Sequence, residues 1–158
     1  IGFEGDCVAI CTFFGHRDVP QPTAFILKKV LADLIQHKNI TTFYVGNHGK
    51  FDSMVRDTLK KLKIIYPHIN YAVILAYMPS KKHPLMHQDS SDTVFPVELT
   101  NIPPKYAIIK RNQWMLKQSD YVVVYVTHAW GGAAQWKASA EKEGKIIINL
   151  ADVQQKPI

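Results

Sequence analysis

Short apolar runs alternate with amphipathic segments along nearly the whole chain, and this alternation constrains the fold more than any other feature. The runs have the continuous hydrophobicity of strands buried on both faces, and they lie at Val8–Phe14, Thr41–Val45, Tyr71–Met78, Tyr121–Val126 and Lys145–Leu150. The other segments repeat apolar residues at helical spacing, and they lie at Pro22–Ile35, Phe51–Ile65, Lys105–Gln118 and Ala133–Glu143. Because right-handed crossovers join parallel strands, the pattern predicts an α/β, Rossmann-like fold with a mainly parallel sheet and helices on both faces.

Length and composition predict a single domain over residues 1–158. The 158 residues are 47% apolar and 20% charged, which suits one hydrophobic core without disulfides. Residues 79–104 are polar and interrupted by prolines, and one short strand, Thr93–Phe95, is predicted there. Gly144 is predicted to end the last helix, and the chain after Asp152 is expected to fray.

Cysteine usage and hydropathy predict a cytoplasmic protein. Cys7 and Cys11 would lie about 13 Å apart in an extended run, too far for a disulfide, so both are predicted to be buried thiols in a reducing compartment. No run approaches the roughly 18 apolar residues of a membrane helix, so no membrane partner is expected. The net charge of +6 favours anionic partners, but the lysines are scattered over helices, so nucleic acid is a less favoured partner.

Glycine, histidine and basic residues gather where the predicted strands end. These ends are Gly15–Asp18, Gly46–Lys50, Pro79–Lys82 and Thr127–Gly132. In an open parallel sheet the ligand crevice lies outside the carboxyl ends of the strands, where the strand order reverses. Glycine lets backbone N–H groups approach an oxyanion, and a helix that begins just beyond adds its positive dipole end. The sequence therefore predicts a phosphate site at this edge.

Gly131 and Gly132 precede a helix rich in alanine and are the best candidates for that phosphate site. The alternative is a tight turn from strand to helix, with alanines that let the helix pack closely; the spacing favours neither. The chain has no Gly-x-Gly-x-x-Gly fingerprint and no Walker loop, which argues against ordinary dinucleotide or ATP binding.

Two charged residues inside predicted helices stand out. Arg111 shares a helix face with Ile108 and Met115, so it lies on or beside the stripe that packs on the sheet. It either meets a protein carboxylate or a ligand phosphate, or it snorkels at the edge of the stripe. Asp52 lies in the first turn of the second helix, where it either complements the helix dipole or binds a ligand hydroxyl.

Little in the sequence indicates metal or covalent catalysis. His16, His48 and His128 lack a close-spaced pair such as His-x-x-x-His, so separate loop histidines, no metal and no cofactor are predicted. There is no serine nucleophile elbow and no cysteine in a basic, exposed setting. Trp130 is predicted to be a rim aromatic residue or a stacking partner for a base.

Several strings of residues, in order over nearly the whole chain, resemble the SLOG superfamily and within it the small bacterial YpsA-like proteins. The strings are Thr12–Arg17, Tyr44–Asn47 with Gly49 and Phe51-Asp52, Arg111-Asn112 with Met115, Ser119-Asp120, and Gly131-Gly132 followed by Gly144-Lys145. The superfamily includes the lonely-guy and Smf/DprA proteins. The resemblance implies a Rossmann-like fold and a site for a nucleotide or nucleotide derivative, and it is compatible with a homo-oligomer.

The strand ends and the resemblance together give the candidate ligand-binding residues. These are Gly15, His16, Arg17, Gly46, Asn47, Gly49, Asp52, Arg111, Gly131 and Gly132. Where lonely-guy phosphoribohydrolases carry Gly-Gly-x-Gly-Thr-x-x-Glu, this chain has Ala138 in place of the catalytic glutamate.

The leading hypothesis is a ligand-sensing protein that binds a small phosphorylated, nucleotide-derived molecule. The first alternative is a hydrolase of an N-glycosidic or phosphate bond, with Asp52 as acid or base. The second alternative is nucleic-acid binding.

Overall fold

The computed structural model describes residues 9–78 and 92–153. The strands are β1 (Ile10–Gly15), β2 (Thr42–Val45), β3 (Asn70–Ile74), β4 (Thr93–Val94), β5 (Tyr121–Tyr125) and β6 (Ile146–Asn149). The α-helices are α1 (Thr23–His37), α2 (Gly49–Ile65), α3 (Pro104–Gln118) and α4 (Gly132–Lys142). Short 3-10 helices span Val97–Leu99 and Leu150–Asp152.

The strands form one parallel sheet in the order β4-β3-β2-β1-β5-β6, which confirms the predicted Rossmann-like fold. From β1 the chain builds outward to β4, then returns past β1 to add β5 and β6 on the other side. The strand order therefore reverses between β1 and β5. A crevice opens at such a point because the connections that leave the two strands run to opposite faces of the sheet.

Helices cover both faces of the sheet. Phe13 and Phe14 are neighbours on β1, so their side chains point to opposite faces, and each belongs to a different core cluster. On the Phe13 face, α1 and α2 pack through apolar residues at helical spacing: Leu27, Leu31, Leu34, Phe51, Val55, Leu59 and Leu62. On the Phe14 face, α3 and α4 pack through Met115, Leu116 and Ala140. Helices on both faces are thus confirmed.

The carboxyl ends of β1 and β5 are level with each other. The register pairs Gly15 with Tyr125, and the Tyr125 carbonyl oxygen accepts a hydrogen bond of 3.1 Å from the His16 N–H. Asn149 then holds the chain just beyond β5: its Oδ1 accepts from the Val126 N–H at 3.1 Å, and its Nδ2 donates to the Val126 carbonyl at 2.9 Å. The loop that follows Val126 therefore leaves from a fixed backbone position.

One strand boundary predicted from the sequence is wrong. The third strand ends at Ile74 and not at Met78, and the backbone bends at Ala76 and Tyr77. Leu75 and Ala76 remain buried after the strand has ended, so the apolar run outlasts the extended backbone. The outer neighbour of β3 is β4, and β4 pairs only with Val73 and Ile74. Beyond Ile74, β4 therefore provides no further strand pairing that would extend β3.

Other predictions agree with the structure where it describes them. The short strand at Thr93 is confirmed, and Gly144, with a φ of 73°, follows the end of α4. Cys11 is buried, and burial raises the pKa of its thiol. Cys7, Pro79–Lys82 and the tail beyond Val153 lie outside the described residues. None of the described helices combines the length and apolarity that a bilayer crossing requires.

Candidate functional site

A cavity of about 1060 Å³ opens at the carboxyl ends of β1 and β5, where the strand order reverses. Its wall combines the end of β1, the start of α2, one face of α3, the loop after β5 and the start of α4. The predicted site residues that line it are Gly15, His16, Arg17, Asp52, Arg111, Gly131 and Gly132. These residues come from four separate parts of the sequence, so the fold brings them together as the strand-end argument expects. Their role in ligand binding stays a prediction.

Three predicted site residues, Gly46, Asn47 and Gly49, do not line the cavity. Asn47 accepts a hydrogen bond of 3.2 Å from Nη1 of Arg111 through its side-chain oxygen. Gly49 begins α2 with a φ of 88°, a backbone conformation that side chains disfavour. Asn47 therefore supports the site through Arg111, whereas Gly49 serves the turn that starts α2.

Gly46 makes room for two charged side chains. A Cβ atom on Gly46 would lie 2.6 Å from Oδ2 of Asp52 and 3.0 Å from Cζ of Arg111, closer than packed atoms tolerate. Gly15 serves a similar purpose, because a Cβ there would overlap the ring of Phe51. The sequence predicts that both glycines let an anion approach the backbone, whereas the structure explains each by the packing of a neighbouring side chain.

Arg111 is the most deeply buried charged side chain of the site, with 2% of its surface exposed. Its Nη1 donates to the Ile74 carbonyl at 3.0 Å, and its Nε donates to Oδ1 of Asn112 at 2.8 Å. Its Nη2 lies 3.4 Å from Nδ1 of His48. Burial lowers the pKa of Arg111, and the attraction of Asp52 opposes that shift. The burial excludes a snorkelling side chain. Among the described residues, its hydrogen-bond partners are carbonyl, amide and imidazole groups, and none is a carboxylate.

Asp52 both stabilises the start of α2 and forms part of the cavity wall. Its Oδ2 accepts a hydrogen bond of 3.1 Å from the backbone N–H of His48, the residue before the helix. Burial raises the pKa of the Asp52 carboxyl, and attraction to Arg111 and Arg56 opposes this only in part. The structure therefore agrees with the predicted role of Asp52 at the start of the helix, and its binding of a ligand hydroxyl stays a prediction.

Three aromatic rings from two loops stack at the rim of the cavity. The ring of His128 lies between those of His16 and Trp130, with centroid distances of 3.8 Å on each side. The interplanar angles are 10° and 20°. Nε2 of His16 accepts a hydrogen bond of 2.9 Å from the Thr127 N–H, which places the proton of the neutral ring on Nδ1. No local sequence pattern predicts this contact, because His16 and His128 follow different strands.

His16, His48 and His128 are not arranged as ligands of one metal ion. The rings of His16 and His128 face each other, whereas His48 lies beside Arg111 and Tyr77. Within residues 9–78 and 92–153, no group of three His, Cys, Asp or Glu side chains is placed to hold a metal ion.

The first turn of α4 faces the cavity without a side-chain cap. Gly131, with a φ of 93°, precedes the helix, and Gly132 is its first residue. The positive φ explains the glycine at position 131 as a turn requirement. A Cβ at Gly132 would meet nothing within 4 Å, so the space before the helix is open. The first N–H groups of a helix lack acceptors within it, and the helix dipole is positive there.

Sequence reasoning missed two polar residues of the wall, Gln135 and Ser139. Both lie on α4 at helical spacing from Gly132, so the period of the helix would have identified them. Asn112 and Met115 also line the cavity. Both residues belong to the strings that carry the family resemblance, and the sequence predicts no separate role for either.

No protein-family model and no curated protein matches the chain. Among solved structures, the fold is similar to that of DNA processing protein A (DprA) from Streptococcus pneumoniae, with a TM-score of 0.62 and 15% sequence identity. The match covers 89% of this chain and 49% of the DprA chain, so the chain spans about half the length of that protein. At this level of identity, the likeness establishes that the two share a Rossmann-like fold.

Proposed function

We propose that the cavity binds a small phosphate-bearing molecule derived from a nucleotide. The observation that carries the proposal is the burial of Arg111 in the cavity wall with neutral hydrogen-bond partners among the described residues. A guanidinium that has lost its hydration keeps a strong preference for a nearby anion. Asp52 supplies part of that negative charge, and burial raises its pKa, so its charged form is disfavoured.

The start of α4 is the second support for a phosphate. Its uncapped first turn lines the same cavity as Arg111. Backbone N–H groups at a helix N-terminus bind phosphate oxygens because they point outward and carry the positive end of the dipole. We assign the phosphate to Gly131 and Gly132, with Arg111 contributing longer-range positive charge.

The family resemblance supports the same function. The Rossmann-like fold and the similarity to DprA agree with membership of the SLOG superfamily, and the residue strings from Thr12 to Lys145 favour its YpsA-like branch. Membership would imply a nucleotide-derived ligand, which is the chemistry that the cavity wall suits.

A matched pair of variants at Gly132 tests the proposal. Proline is tolerated at the first position of a helix and lacks an N–H, so Gly132→Pro removes one donor while α4 stays formed. Gly132→Ala keeps the donor and meets open space. Calorimetry with inorganic phosphate, AMP and ADP-ribose should show binding to the wild type and to Gly132→Ala. Gly132→Pro should bind more weakly by about 1.5–3 kcal/mol, the range for a hydrogen bond to a charged group. Absence of binding by every probe, or equal binding by both variants, rejects the phosphate site.

Hydrolysis of a nucleotide is a second candidate, favoured by one observation. The Asp52 carboxyl lines the cavity, and its raised pKa suits a group that gives or takes a proton. Chromatography of AMP incubated with the protein would reveal free adenine and ribose 5-phosphate, and Asp52→Asn should abolish their formation. Turnover retained by that variant would remove Asp52 from the reaction.

Nucleic-acid binding is a third candidate, supported by the net charge of +6 and by the similarity in fold to DprA, which is named as a DNA processing protein. Binding of this kind falls steeply with salt, because each neutralised backbone phosphate releases a counterion. A gel-shift series over salt concentration with single-stranded and duplex DNA tests it. Affinity that does not change with salt argues against it.

A further inference from the structure

The outermost ring of the stack formed by His16, His128 and Trp130 has a large free surface. Trp130 is 71% exposed although it lines the cavity, and its contact with His128 uses one face of the indole. Apolar surface of this size is normally buried, so an exposed tryptophan at a cavity rim is a place where a ligand gains contact area.

The stack is held in place before any ligand arrives. His16 is tied to the end of β5 by two hydrogen bonds, from its own N–H to Tyr125 and from the Thr127 N–H to its ring. Asn149 holds the intervening Val126 from β6. A ring that is already positioned loses little conformational freedom when a second ring stacks on it. His128 stacks on the ring of His16 and Trp130 stacks on His128, so the plane of the indole is oriented for a planar group before a ligand binds.

The stacking surface and the phosphate site belong to one short segment. Trp130 and Gly132 are separated by a single residue, so their Cα atoms are at most about 7 Å apart. A 5′-nucleotide likewise carries an aromatic base and a phosphate on one ribose. Inorganic phosphate and sugar phosphates can bind the N–H groups at the start of α4, but they have no aromatic ring to cover the indole face of Trp130.

We propose that the ligand is a nucleoside phosphate whose base stacks on the exposed face of Trp130, and that this contact separates nucleotides from sugar phosphates. The inference rests on the proposed function, because it assumes that the phosphate lies at the start of α4. It goes further by requiring a planar aromatic base in the ligand. Every base has a π-face, so stacking selects the class of molecule without selecting one base.

The test compares two probes that share the phosphate and differ in the base. AMP and ribose 5-phosphate are titrated calorimetrically into the wild type, Trp130→Ala and Trp130→Phe. Phe25→Ala is the matched control, because Phe25 is 69% exposed on α1 and is not part of the cavity wall. Trp130 is so exposed that its truncation leaves the core unchanged, and the melting temperature of each variant checks this.

We expect AMP to bind the wild type more tightly than ribose 5-phosphate does. Trp130→Ala should weaken the binding of AMP by about five- to 150-fold, which is the effect of losing one stacked base. The affinity for ribose 5-phosphate should be unchanged. Trp130→Phe should recover most of the loss, and Phe25→Ala should bind both probes like the wild type. AMP should also quench the tryptophan fluorescence of the wild type more strongly than that of Trp130→Phe.

The outcomes that overturn the inference differ from those that overturn the phosphate site. Equal affinity for the two probes, with no selective loss in Trp130→Ala, rejects stacking and leaves the phosphate site intact. If neither AMP nor ribose 5-phosphate binds, the stacking inference fails, and the phosphate site fails with it unless inorganic phosphate or ADP-ribose binds. If a single-stranded oligonucleotide binds through Trp130 while AMP does not, the surface serves nucleic acid and the small-ligand inference is wrong.

Discussion

The carboxylate of Asp52, on α2, and the guanidinium of Arg111, on α3, both approach Gly46, where a Cβ atom would lie 2.6 Å from Oδ2 of Asp52 and 3.0 Å from Cζ of Arg111. Each attracts the other, yet burial still raises the pKa of Asp52 and lowers that of Arg111. Both charges are thus less stable than in water. Charged groups whose pKa values are shifted by burial are typical of functional sites, where a bound ligand can stabilise the charge.

The space over Gly46 should be essential to the fold of the site. We expect Gly46→Ala to lower the free energy of unfolding by about 1–3 kcal/mol, because the new Cβ forces Asp52 and Arg111 apart. Gly132→Ala is the control, since its Cβ meets open space and alanine favours a helix. Urea denaturation measures both. A Gly46→Ala protein as stable as the wild type would contradict the close approach.

Removing Arg111 should be costly because it takes away a charge that attracts Asp52 and leaves the Ile74 carbonyl without its donor. We expect Arg111→Met to lower the free energy of unfolding by about 1–3 kcal/mol at neutral pH, the range for a buried acceptor left without its donor. The double variant with Asp52→Asn should recover part of this loss. A double-mutant cycle by urea denaturation gives the coupling between the two residues. Strictly additive losses would show that they do not interact.

The raised pKa of Asp52 predicts the sign of a pH effect. The folded state holds the Asp52 proton more tightly than the unfolded state, whose pKa is near 3.8. This residue's contribution to stability is therefore greatest below pH 3.8 and is lost as the pH rises through the folded-state pKa. Asp52→Asn removes that loss, so the stability of the variant relative to the wild type should increase with pH. Denaturation curves from acid to neutral pH check this, and a relative decrease would contradict it.

His16 should titrate below an ordinary histidine. Burial and the neighbouring His128 both lower its pKa from 6.5, and protonation of Nε2 would break the bond from Thr127. The folded state resists the proton more than the unfolded state does, so stability is lost as the pH falls below 6.5. NMR titration of the ring should give a midpoint below 6.5 that rises in His128→Gln. A midpoint at or above 6.5 in the wild type would show that the stack does not disfavour protonation.

Much of the fold could be predicted because local patterns encode it. The buried run that ends at Gly15 and the apolar spacing from Leu27 to Ile35 each identify one element without reference to the rest of the chain. Arg111 could be placed on the packing face of α3 in the same way. The exception is the third strand, where hydrophobicity continues to Ala76 although the backbone has already turned. Burial and extended structure coincide only where a neighbouring strand continues the ladder.

The sequence by itself determined the order of strands and helices, the parallel sheet and the edge at which polar residues gather, because these follow from periodicity and from the handedness of crossovers. Only the tertiary structure decided that β5 lies beside β1, that Asp52 and Arg111 share the space over Gly46, and that His128 stacks between His16 and Trp130. These are contacts between residues far apart in the chain. They depend on packing in three dimensions, which no local pattern records.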